Sequence, residues 1–257
     1  MRRVVARPGV PTFREWASAN GHPVSARGRI PQHLAEAYFA AHPGGFAVRV
    51  SPRDFGVGPD LYDWPEDGPL GAHYAVLFVR GLAMRDVLLR LGAEATDLRL
   101  VSDEEVGGAE DVVRVAQSGD WTVAEHKGRS EGWREIAESL SSGGEAIVVQ
   151  RNPVTEGVFV HAVDGRTSTM FVPSRPFERT GSAPDALNHH LHGLGIDPDV
   201  DDLIHNAVPA ALALACRTSG VVVLDARLPG PDLYVESAIV YQEPTRLGAM
   251  LRSHGRR

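Results

Sequence analysis

A chain of 257 residues, 43% hydrophobic and 23% charged, has the composition of one large globular domain, or of one medium domain plus a small one. Its single cysteine, Cys216, excludes an internal disulfide framework and favours a reducing compartment. The longest apolar run, Ala207 to Cys216, is broken by Pro209 and too short for a bilayer, and Met1 to Arg7 lacks a secretory apolar segment, so a cytoplasmic protein without a membrane partner is expected.

Net charge is −7, but it is divided unevenly. Residues 1–49 carry seven arginines against two glutamates, a net +5, which leaves −12 for the rest. A basic head on an acidic body points to a polyanion met by the head alone.

In chain order, residues 1–11 read as a basic tail. Thr12-Phe13-Arg14-Glu15 is a capping box that opens a helix, with Phe13, Trp16 and Ala17 as its apolar stripe. Asn20-Gly21 supplies the stop. A polar loop follows, and Pro31 sits where a second helix would start, with Leu34, Ala35 and Tyr38 on its inner face. Residues 12–42 are therefore expected to form a two-helix module. Residues 43–70, rich in Pro and Gly, read as a linker with one short strand near Phe46 to Val50.

The larger part, residues 71–241, reads as an α+β domain. Strands are predicted at His73–Val79, Trp121–Glu125, Ala146–Gln150, Val158–Val163, Thr167–Val172, Val221–Asp225 and Tyr234–Tyr241, with Asp164-Gly165 as a hairpin turn. Helices are predicted at Met84–Leu91, Gly132–Leu140, Pro184–His192 and Asp202–Cys216. Residues 242–257 form a basic C-terminal tail. The predicted fold class is thus a small all-α two-helix module followed by an α+β domain.

The chemistry-bearing motif is Arg27-Gly28-Arg29, placed between the two helices of the basic head. AT-rich minor grooves are narrow and strongly negative, which attracts inserted arginine. Gly28 has no side chain to hold the backbone off the groove floor. The minor groove separates A·T from G·C and little more, so the expected preference is compositional. Arg14, Ser25 and the tail arginines Arg2, Arg3 and Arg7 are suited to phosphate contacts, which add affinity without sequence information.

Phe13 to Ala17, Asn20-Gly21-His22, Val24-Ser25, Arg27 to Pro31 and Ala37-Tyr38 together resemble the DNA-binding domain of the Lsr-type nucleoid-associated proteins of actinobacteria, which are H-NS-like xenogeneic silencers. The resemblance implies that Arg27, Gly28 and Arg29 read the groove while Arg14 and Ser25 hold the backbone. It also implies double-stranded AT-rich DNA as the partner and the nucleoid as the location. In that family a small β-rich oligomerisation domain precedes the module, whereas about 11 residues do so here, so filament formation is not carried over. Two-helix modules around a Gly-Arg-Ile loop also occur in peripheral subunit-binding domains, which makes a protein-interaction module the alternative reading.

Beyond residue 71 the chain resembles an uncharacterised actinobacterial domain, through Phe78-Val79-Arg80-Gly81-Leu82, Trp121 to Glu125, Leu140-Ser141 to Gly144 and Phe177-Glu178-Arg179 before Gly181. No catalytic set is visible in it. His189, His190, His192 and His205 lack zinc-like spacing, and the calcium-loop-like Asp197, Asp199 and Asp201 are followed by Asp202 and Val208 where Gly and Glu belong. Glu125 and His126, as strand neighbours, point to opposite faces. The expectation is a non-enzyme without cofactor or metal that forms a homo-oligomer through residues 71–241. An enzyme or immunity-type domain targeted to DNA remains the other reading of that part.

Overall fold

Tyr74–Arg80 decides the centre of the fold: six consecutive residues are buried, and they alternate between two apolar faces. Tyr74, Val76 and Phe78 face one core, and Ala75, Leu77 and Val79 face another. The computed structural model describes residues 13–22, 47–49, 57–62, 70–93, 98–100, 112–128, 131–223 and 238–241. Among these, the strands are β1 (Ala47–Arg49), β2 (Tyr74–Arg80), β3 (Leu98–Leu100), β4 (Val112–Ser118), β5 (Trp121–Lys127), β6 (Glu145–Arg151), β7 (Val158–Val163), β8 (Arg166–Phe171), β9 (Val221–Val223) and β10 (Ala238–Tyr241). The α-helices are α1 (Phe13–Ala19), α2 (Met84–Arg90), α3 (Trp133–Leu140), α4 (Asn188–Gly193) and α5 (Ala207–Ser219).

Eight strands form one sheet in the order β3-β10-β4-β5-β2-β6-β7-β8, with every pair antiparallel. Helices cover both faces, which explains why these antiparallel strands read as continuous apolar runs rather than alternating ones. On one face α2 and α3 bury Val87, Leu88, Trp133, Ile136, Ala137 and Leu140. On the other, α5 is buried nearly all round through Leu212, Leu214 and Cys216, as expected of a helix that is apolar on every side. Val57, Tyr62 and Leu70 pack into that same core, and the 3-10 turn Pro59–Tyr62 lies against α5. Part of the Pro/Gly-rich stretch is therefore core.

The Asp164-Gly165 turn has positive φ at both residues, 50° and 77°, the hairpin geometry that its sequence demands. Helix α5 starts at Ala207 rather than Asp202. Pro209 stands in its first turn, where no amide is missed, and its ring opposes helix further upstream. Strands β3 and β4 were not foreseen.

The expected fold class is corrected. Among the described residues only one helix of the N-terminal segment, α1, is present, and no two-helix all-α module is shown. The predicted second helix, from Pro31, lies outside the described residues. What organises the described chain is the eight-stranded antiparallel sheet, and beside it the segment after the head supplies β1 to a separate small sheet. This strand forms a two-stranded ribbon with β9 (Ala47↔Val223, Val48↔Val222, Arg49↔Val221) and also lies against β4. A seven-residue helix buries too little to stand alone, whereas strand pairing brings further hydrogen bonds and apolar area.

Candidate nucleic-acid interface

Helix α1 is built as its residues require. Trp16 and Ala17 are buried. The helix ends in a Schellman closure. Gly21, at φ 73°, is the left-handed residue; its amide bonds the Ser18 carbonyl at 3.2 Å, and the His22 amide bonds the Ala17 carbonyl at 2.8 Å. The Asn20 side-chain amide donates to the Trp16 carbonyl at 2.8 Å, which satisfies one of the helix-end acceptors. The His22 ring lies 5.2 Å from the Trp16 ring, centroid to centroid, at 34°. Arg14 lies in α1. Ser25, Arg27, Gly28 and Arg29 lie outside the described residues.

In the body, sequence neighbours separate as expected. Glu125 and His126 fall on opposite faces of β5. Glu125 is buried and ion-paired with Arg114 across the β4–β5 register. His126 is buried against Trp133 of α3, ring centroids 5.4 Å apart at 68°, and burial pulls its pKa down to about 4. The two do not form an acid–base pair. Near Glu125 lies Tyr74, whose phenol is pushed up to about 12 by burial, against the pull of Arg151 to which it is hydrogen-bonded. Arg114 and Arg151 escaped the sequence reading. For Arg114 the signal was a charged residue inside a strand that otherwise reads as core, whereas Arg151 only closes its strand.

A second polar row crosses the far end of the sheet. The Arg80 guanidinium bonds Asp120 at 3.0 Å, reaches Glu145 at 3.6 Å and lies 6.0 Å from the Trp121 ring centre. Glu145 in turn meets His161 Nε2 at 2.9 Å. The segments around Arg80, Trp121 and Gly144 thus meet here, and a Cβ at Gly144 would press on the Arg80 carbonyl. Arg179 acts as a staple. Its Nε donates to Asp185 at 2.7 Å, one terminal nitrogen to Asp199 at 2.6 Å and the other to the Pro198 carbonyl at 2.5 Å. Burial opposes its charge, but the two carboxylates outweigh burial and raise its pKa. Beside it is a hollow of about 330 Å³ walled by Phe177, Pro184 and Pro198. Gly181, at φ 127°, brings its backbone so close to the Ser168 carbonyl that any side chain would collide.

The His189 and His190 rings lie against each other, centroids 3.8 Å apart and tilted by 38°, and burial draws the His190 pKa down to about 4, with His189 and Arg217 adding to the effect. His192 lies 3.8 Å from Asp197. Among the described residues no group of three or more His, Cys, Asp or Glu is placed to hold a metal ion, and no helix is long and apolar enough to cross a membrane.

Two family matches follow this division of the chain. Residues 11–41 match the Lsr2 DNA-binding domain, which supports a DNA-binding, nucleoid-associated protein. Residues 57–232, more than half of the chain, match a family of unknown function, DUF6461. No solved structure matches the chain.

Proposed function

The chain belongs to the family of unknown function DUF6461, and from that premise, with a DNA-binding match on its basic head, we propose that it is a nucleoid protein that silences or marks AT-rich DNA. Arg27 and Arg29 extend along the floor of the minor groove, Gly28 lets the backbone approach, and Arg14 and Ser25 hold phosphates. The family domain serves as an oligomerisation, partner-binding or sensing unit. One small module makes few contacts, so a second copy linked through residues 71–241 raises avidity. The head at 12–42 is part of this proposal; the body, expected from sequence to start at 71, also takes in Val57, Tyr62 and Leu70 of its core.

One observation carries the reading: the DNA-binding match falls on the segment that holds the chain's positive excess, +5 against −12 elsewhere. The test compares the full chain with an Arg27→Ala, Arg29→Ala variant on AT-rich and GC-rich duplexes of equal length. Neutralising about four phosphates gives a log–log salt slope near −3.6. Loss of AT preference is the expected result. Unchanged affinity and preference reject the groove assignment, and sedimentation showing only monomer rejects the linked copies.

A further inference from the structure

We propose that α4 and the last turn of α5 form a binding site for a small phosphate-bearing ligand, with the Arg217 guanidinium as its fork and the His189 and His190 imidazoles beside it. The site belongs to the body alone. It goes beyond the DNA-binding reading and does not depend on it.

Arg217 stands in the last turn of α5 and is half-buried. Among the described residues no carboxylate forms an ion pair with it, whereas Arg80, Arg114, Arg175 and Arg179 each meet at least one. Its Nε is sealed from solvent without a hydrogen-bond partner, while its two terminal nitrogens stay accessible and take no partner among the described residues. Burial opposes the charge and lowers its pKa. The negative end of the α5 dipole favours a cation here, but it amounts to only about half an elementary charge. A partly desolvated guanidinium is thus held in place with its outward fork unanswered, in a body whose net charge is negative.

The surroundings suit an oxyanion. Gly193 of α4 lies so close that a Cβ there would stand 2.6 Å from one terminal nitrogen of Arg217. The missing side chain therefore leaves the fork its place against α4. His189, four residues before Gly193, shares its helix face, and the His189 and His190 ring centroids are 3.8 Å apart. The Arg217 charge bears on His190, where it helps to lower that pKa. The neighbouring carboxylate of Asp197 meets His192 at 3.8 Å and forms no ion pair with Arg217. Two parallel guanidinium N–H groups match two oxygens of one phosphate, which a single rigid arginine recognises better than a point charge does.

The experiment uses the full chain in phosphate-free buffer, titrated with inorganic phosphate and, separately, with sodium chloride at equal ionic strength. NMR follows the Arg217 Nε–H signal and the His189 and His190 ring signals, and the thermal midpoint is read in parallel. Saturable shifts and a raised midpoint are expected with phosphate and not with chloride. Arg217→Gln, which removes the desolvated charge, is expected to fold and to weaken phosphate binding about tenfold, the loss of one charge-assisted hydrogen bond. Gly193→Ala keeps every charge but pushes the guanidinium aside, and is expected to weaken binding as well. No saturable shift, or undiminished affinity in either variant, overturns the site; should Arg217→Gln fail to fold, Gly193→Ala decides alone. A DNA duplex that moves the same signals in the Arg27→Ala, Arg29→Ala variant would make Arg217 a nucleic-acid backbone contact and overturn the small-ligand assignment.

Discussion

His126 shows how a single buried side chain sets the response to acid. Its ring lies edge-on to Trp133, its Nδ1 has no hydrogen-bond partner among the described residues, and burial holds its pKa near 4. In the unfolded chain a histidine titrates near 6.5. Between those values the unfolded state binds a proton that the folded state refuses, so stability rises with pH across the window. The contribution is complete above pH 6.5, is lost as pH falls towards 4, and is flat below; its upper bound is about 3 kcal/mol for a shift to about 4. Denaturant midpoints for His126→Phe, or for the smaller His126→Leu, should vary less between pH 6.5 and 4 than those of the parent chain. An equally steep dependence in both variants would assign the acid sensitivity to other groups.

At the scale of elements, the hairpin next to the sheet edge was the most legible. Val158–Val163 is predicted and found with the same bounds, and Asp164-Gly165 turns as its dipeptide requires. Strand β4 escaped because Arg114 interrupts its apolar run. Only the structure shows Glu125, eleven residues on, answering that charge from the neighbouring strand. The predicted start of α4 at Pro184 failed for a similar reason: Ala183 is already bonded to Ser168 of β8 and Asp185 to Arg179, which holds the chain in turns until Asn188. Long-range partners decided each case, and spacing along the chain does not register them.

Helix α3 illustrates such a tie. Glu138 accepts the Thr167 hydroxyl at 2.6 Å and the Thr167 amide at 3.1 Å, which clasps α3 to β8 at the sheet edge. Burial alone would raise its pKa, but these bonds and Arg134 outweigh it and hold the carboxyl below its usual value. The clasp is therefore present above the ordinary carboxylate range and lost as pH falls below it. Glu138→Ala should cost about 1–2 kcal/mol at neutral pH, read as a lower denaturant midpoint, with Glu138→Gln in between. No change would mean that the clasp adds nothing beyond the packing of α3.

At the scale of the molecule, the proposed head and the body are closely joined. From residue 41, where the DNA-binding match ends, to Ala47 of β1 are six residue steps, at most about 20 Å of extended chain. The ribbon with β9 fixes the far end of that tether. An acidic body held this near a duplex is repelled by phosphates, so the nucleic acid is met by the head. The sequence made the proposed head legible through a short motif with local geometry. It left the body's role unread because the body's polar groups pair with one another: Arg114 with Glu125, Arg80 with Asp120 and Glu145, and Arg179 with Asp185 and Asp199.

The most direct measurement is competition on an AT-rich duplex between the full chain and ligands of known groove. If Arg27 and Arg29 lie between the sugar-phosphate walls, an AT-selective minor-groove ligand displaces the protein at stoichiometric occupancy, and a major-groove ligand leaves it bound. Retention under the minor-groove ligand, with release by the major-groove one, would place the contact elsewhere and contradict the proposed role of the arginine pair.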